Sequence, residues 1–230
     1  MHEPWGSFFM TVGKSRKSAR RGTGRKPDFL PLIADAFVEN GYRRTTTAAL
    51  AETCGVRENE LYRIWPNKKA MFLDAIQYVF DTVTADWSKS IDDDQPDTPV
   101  EQLIDWQSQH RGDSRLHRIL FSGLSEVDDP EIRKALRNLY RQFHQVLEEY
   151  IREHRQQQGQ SPALGNAESA WAMIGLGSIF DIAHELGLGN KSQRREILQA
   201  ATTAILNMTN DAPVSAKRKK TVNNHSKRNR

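Results

Sequence analysis

Between Thr45 and Lys68 the chain gathers side chains suited to gripping a polyanion and reading its bases. Thr45, Thr46 and Thr47 are three successive hydroxyls where a helix would start. There, unpaired backbone N–H groups can join them in holding phosphate oxygens. Simple capping, which needs only one threonine, is the alternative, and the two roles can coexist. Arg57, Glu58, Asn59, Glu60 and Arg63 are the candidates for base reading. Arginine can pair with guanine and asparagine with adenine, while a glutamate can accept from cytosine. Tyr62 follows the apolar Leu61, so its ring can rest on the fold with its hydroxyl outward. Lys68 opens a helix where the dipole offers a cation nothing, and an external anion gives it a purpose. A solvated tyrosine and a solvated lysine are the plainer readings of these two.

The elements needed to position these groups follow from apolar spacing. Phe29, Leu32, Ile33, Ala36 and Phe37 mark a first helix, with Asp28 as N-cap, Pro31 in the first turn and Gly41 as terminator. A short helix over Ala49, Leu50 and Thr53 ends at Gly55. Another runs from Arg57 to Ile64, and Pro66-Asn67 precede a fourth that starts at Lys68. Leu50, Ala51, Val56 and Leu61 can pack the two short helices together, presenting the second to a major groove about 12 Å wide.

The run FLPLIADAFVENGYRRTTTAALAETCGVRENELYRIWPNKKAMFLDAI, residues 29–76, closely resembles the tetracycline-repressor (TetR) family. The resemblance implies phosphate contacts by Tyr62 and Lys68. It also implies a helical ligand-binding and dimerisation region behind the head. The family commonly has a small residue near Asn59 and Ser or Thr at Glu60. The two carboxylates here repel phosphate unless Glu58 or Glu60 meets cytosine or Arg63.

No convincing alternating run suggests a strand, so the expected fold is all-α. It comprises a basic arm (residues 1–26), a helix-turn-helix domain (27–72), a helical ligand-binding and dimerisation domain (73–210) and a basic tail (211–230). The acidic, proline-bearing stretch 92–99 reads as a loop, and helices are expected over 100–108 and 114–127. Ile132, Leu136, Leu139, Phe143, Val146 and Tyr150 form the seam of a central helix. In the last two helices, Gly175, Gly177 and Ser178 would admit a partner subunit closely. Trp106, His110, His117, Phe121, Tyr140, Phe143 and Trp171 are the candidate lining of an apolar ligand pocket.

The net charge of +4 hides basic ends and an acidic body. Seven Lys or Arg face two acids in residues 1–30 and one acid in residues 211–230. Polyanion affinity should therefore concentrate at the termini and at local basic groups. The arm could follow phosphates or enter a minor groove, or be a solvated tail. Trp5, Phe8 and Phe9 have no assigned role.

The single cysteine, Cys54, reads as small core filler. With no stretch apolar enough to span a bilayer and no leader pattern, the chain is expected in the bacterial cytoplasm, on the nucleoid.

These readings converge on a homodimeric regulator released from a palindromic double-stranded operator by a small-molecule effector, with no cofactor, metal or membrane partner. A sequence-independent DNA-coating or scaffold protein is the rival. An enzyme is a weaker one, resting on the pairs His144/Glu148 and Asp181/His184. Neither belongs to the fuller set that a helical di-iron site requires, and no zinc pattern or phosphate-binding glycine loop appears.

Overall fold

A computed structural model of the chain describes residues 26–92, 94–110, 116–159 and 161–208, without the side chains of Ser108 and His110. The basic tail and the arm up to residue 25 lie outside these residues, as do Trp5, Phe8 and Phe9. Among the described residues every regular element is an α-helix: α1 Lys26–Arg44, α2 Thr47–Thr53, α3 Glu58–Tyr62, α4 Lys68–Ser90, α5 Pro99–His110, α6 Leu116–Leu124, α7 Pro130–Gln157, α8 Asn166–Glu185 and α9 Lys191–Leu206. None of them is long and apolar enough to cross a membrane.

Local chemistry sets most of the boundaries. Thr46 caps α2 by accepting from Ala49 N, and Asn67 caps α4 by accepting from Ala70 N. Asp129 accepts from the amides of Glu131 and Ile132 at the head of α7. Asn190 and Gln193 cap α9 reciprocally. One expectation shifts: Lys26 is already helical, so Pro31 stands inside α1 rather than in its first turn and removes one backbone hydrogen bond. Gly41 breaks α1 with φ +72° and ψ 170°, after which Tyr42–Arg44 complete a further helical turn.

Gly55 makes the turn between α2 and α3 with φ +65°, and a methyl group there would meet nothing within 4 Å. Its requirement is therefore purely conformational. Gly55→Ala is expected to lower stability by about 1–2 kcal/mol, the cost of placing an L-residue in the left-handed region. A denaturant titration showing no shift in midpoint would contradict this.

The head is α1 to α3 packed on the first turns of α4. Phe37, Tyr42 and Phe72 form its aromatic centre, with ring centroids 5.0 Å apart for Phe37–Phe72 and 4.8 Å for Tyr42–Phe72. Trp65 is buried beside them and donates from Nε1 to Asp74 Oδ2 at 2.5 Å. In the body, α7 packs against α4, α5, α6 and α8, while α9 lies on α5 and α8. Phe143 of α7 meets Phe80 and Trp87 of α4 at 4.8 and 5.2 Å.

Two elements hold head and body together. Helix α4 runs through both without interruption. Helix α6 packs on α1 as well as on α4 and α7. At its end, Ser122 Oγ accepts from Tyr42 N at 2.8 Å, and Glu126 Oε1 accepts from Arg43 Nε at 2.6 Å. Lys69 on α4 reaches Asp129 and Glu131 at 3.0 and 2.8 Å. Those hydrogen bonds, Glu131 first, push its ammonium up to about 12.

Candidate nucleic-acid interface and internal cavity

One outward face of the head combines α3 with the start of α2. Tyr62 is 46% exposed and donates its hydroxyl to Thr47 Oγ1 at 3.1 Å, so the two groups stand side by side at the surface. Thr46 is exposed at the cap. Arg57, Glu58, Asn59 and Arg63 are exposed, and their side chains make no hydrogen bond or ion pair with other described residues. They are unspent on the fold. Beneath them, Leu50, Ala51 and Leu61 are buried and fix the angle at which α3 projects. Glu60 is half-buried.

Two candidates face inward. Thr45 is 2% exposed and donates to Gly41 O at 2.7 Å, so its hydroxyl closes the α1 kink instead of facing solvent. Three adjacent hydroxyls cannot all share one face. Lys68 Nζ donates to Tyr42 O at 2.9 Å and Thr45 O at 3.0 Å, and lies 4.3 Å from the centre of the Tyr42 ring. The partner that the helix dipole withholds is thus supplied by the α1–α2 junction, leaving one donor. Desolvation pulls its ammonium below the ordinary lysine value. Cys54 packs half-buried against the head core, and burial raises its thiol.

In the body, α4, α5, α6, α7, α8 and α9 line a partly open cavity of about 140 Å³. Of the residues expected to line a pocket, His117, Phe121, Tyr140 and Phe143 do so. Trp106 does not. It packs edge-on to Trp87, with ring centroids 6.4 Å apart. Trp171 is also outside: half exposed, it stacks on His144, whose Nε2 lies 2.9 Å from Ala167 O. The His110 side chain lies outside the described residues. Trp87, Gln107, Ser178 and Asp181 also line the cavity, although the sequence did not place them there. Trp87 continues the α4 stripe, which hid it among ordinary core positions.

Gly177 and Ser178 also turn inward onto this cavity, so of the three small residues expected to admit a partner only Gly175 is exposed. The outer side of α8 and α9 is apolar instead through Ile179, Ile182, Leu186, Leu188 and Ile197, all exposed. On α7, exposed Arg133, Lys134, Arg137 and Arg141 line a shallow groove. Sequence reasoning passed over this stripe although its spacing of four was legible.

Residues 33–75 match the model of the bacterial regulatory proteins of the tetR family. Curated relatives include nucleoid occlusion factors SlmA. That of Alteromonas mediterranea is 26% identical over 161 residues, covering 68% of this chain and 81% of the relative. That of Vibrio cholerae is 27% identical over 144 residues, covering 60% and 71%. Among solved structures, a TetR-family transcriptional regulator from Cytophaga hutchinsonii superposes with a TM-score of 0.70 at 17% identity, over 85% of this chain and all of that one. A TetR regulator from Chloroflexus aurantiacus gives 0.68 at 14%, over 83% and 98%. The head thus matches the tetR-family model, and the described helices have the fold of TetR-family regulators.

Proposed function

We propose that the chain is a homodimeric transcriptional repressor in the bacterial cytoplasm, which binds a palindromic operator and is released by a small molecule. The observation that carries this reading is the face of α3, where Arg57, Asn59 and Arg63 are exposed and unspent above a buried scaffold. Tyr62 and the α2 start, with Thr46 and Thr47, flank them as phosphate contacts that fix the register, while base edges are read by the neighbours. Glu58 has no cationic partner among the described residues, so a cytosine amino group is the partner that suits it.

The apolar outer side of α8 and α9 supports pairing by a two-fold axis, since a patch of this kind is costly to leave in water. Helix α6 supports the coupling. Leu116, His117, Leu120 and Phe121 line the cavity, while Ser122 and, just beyond the helix, Glu126 bond the head. A ligand that displaces α6 displaces the head with it. Half-sites about 34 Å apart tolerate only one separation of two heads, so a ligand favouring the other geometry releases DNA.

Selection of bound fragments from random duplexes tests the reading and should enrich one palindrome. Tyr62→Ala should weaken binding roughly tenfold with the same motif retained, the mark of a phosphate contact. Binding without a preferred sequence that vanishes with added salt would favour a coating protein instead. The relatives named nucleoid occlusion factors give a second reading, in which the dimer occupies many nucleoid sites. Genome-wide occupancy separates the two: a few promoters for a repressor, many dispersed sites for a nucleoid role.

A further inference from the structure

The cavity carries two polar atoms that the fold leaves unserved. Trp87 Nε1 and His117 Nδ1 are buried and have no hydrogen-bond partner among the described residues. The residues are 8% and 6% exposed, they come from α4 and α6, and both line the cavity. A buried N–H or ring nitrogen left unpaired costs free energy, and native folds keep few of them. Two on the wall of one mainly apolar cavity indicate an occupant that completes them.

The chemistry of that occupant follows from the surrounding groups. His117 Nε2 lies 2.7 Å from Glu185 Oε1, which also accepts from Arg118 Nε at 2.9 Å. The Arg118 hydrogen bond, with that of His117, holds the Glu185 carboxyl down at about 2, so it is ionised and accepts only. Nε2 therefore carries a proton. Nδ1 then offers a lone pair in the neutral ring and an N–H in the charged one, whereas the Trp87 indole can only donate. A hydroxyl suits both nitrogens, because it can donate or accept. Among the described residues no lysine or arginine lines the cavity, while Asp181 does. A carboxylate or phosphate would give up water with no cationic side chain among these residues to receive it.

We infer that the cavity takes a neutral, mainly apolar small molecule bearing hydroxyl functionality, with oxygen accepting from Trp87 Nε1 and a hydroxyl meeting His117 Nδ1. Its size suits a single ring, since a cavity of about 150 Å³ holds benzene, and its open side leaves room for a short substituent. The inference rests on reading this cavity as the effector site, but not on the choice of operator.

Calorimetric titration of the full chain with ethylbenzene, 4-ethylphenol and 4-ethylbenzoate tests it. The phenol should bind roughly 3–10-fold more tightly than the hydrocarbon, the increment of one or two buried hydrogen bonds, and the benzoate should not bind. Trp87→Phe should reduce the ratio of phenol to ethylbenzene affinity towards one, whatever it does to the affinity of either alone. His117→Gln retains a donor for Glu185 but removes Nδ1, and should do the same. Equal affinity for phenol and hydrocarbon, binding of the benzoate, an unchanged preference in both variants, or no binding by any probe each overturn the inference. The last would leave water as the partner of the two nitrogens. Duplex titration of the same preparation keeps the readings apart: phenol binding without sequence-specific DNA binding refutes only the regulator, and the converse refutes only the ligand class.

Discussion

Replacing Arg155 by methionine is expected to destabilise the chain by about 3–5 kcal/mol, although its side chain is far from any proposed contact with DNA. The residue is 3% exposed, near the end of α7. All five of its N–H groups are used. Nε donates to Leu206 O at 3.1 Å, Nη1 to Leu164 O and Asn166 Oδ1 at 2.9 Å, and Nη2 to Ser169 Oγ and Ile205 O at 3.0 and 3.1 Å.

Two of these acceptors are last-turn carbonyls of α9, which lack partners within the helix and stand at the negative end of its dipole. Desolvation lowers the guanidinium from its ordinary value, yet it remains charged at any pH of interest. Methionine would fill most of the volume but remove the donors from Leu206 O and Leu164 O, and leave Ile205 O with only the Met208 amide at 3.4 Å. Lysine offers three donors without the planar fork, so Arg155→Lys should recover only part of the loss. Equilibrium urea unfolding measures both variants, and wild-type stability in Arg155→Met would show that water reaches these carbonyls.

Trp65→Ala is the second change with a large expected effect, again about 3–5 kcal/mol, the usual range for deleting a buried aromatic side chain. The indole is 2% exposed, donates to Asp74 and lies 5.8 Å below the Lys26 ammonium. It fills the angle between the end of α3 and the beginning of α4. Its removal should loosen the head from α4 and abolish operator binding, while Trp65→Phe should keep most of the packing and lose chiefly the hydrogen bond to Asp74. Stability and duplex affinity should fall together. Full affinity in Trp65→Ala would mean that α3 is oriented without this contact.

The head was the most legible part of the chain because its signals are local. Gly41, Gly55, Thr46 and Asn67 each mark a boundary through conformation or a cap, and the apolar positions among them leave one arrangement of short helices. Thr45 and Lys68 show where local reasoning stops. Nothing in their own neighbourhood reveals that a kinked helix will present the carbonyls of Gly41, Tyr42 and Thr45 to them.

The cavity was half legible for a related reason. Periodicity says which side of a helix is apolar, so His117, Phe121, Tyr140 and Phe143 could be named, but it does not say which neighbour that side will meet. Trp106 and Trp171 have the same composition signal and sit elsewhere. Arg155 gave no signal at all, since its acceptors come from the loop after α7, the first turn of α8 and the last turn of α9.

The shared position of α6 bears on modular engineering. A boundary drawn after residue 72 falls inside α4 and leaves Ser122 and Glu126 with the body. Transplanting a foreign head onto this chain at that point would give a chimera whose new Tyr42–Arg43 equivalent meets a hydroxyl and a carboxylate selected for another surface. Such a hybrid could fold and occupy its operator yet ignore the inducer. Carrying the 116–126 segment along with the graft is the remedy that the joint itself recommends.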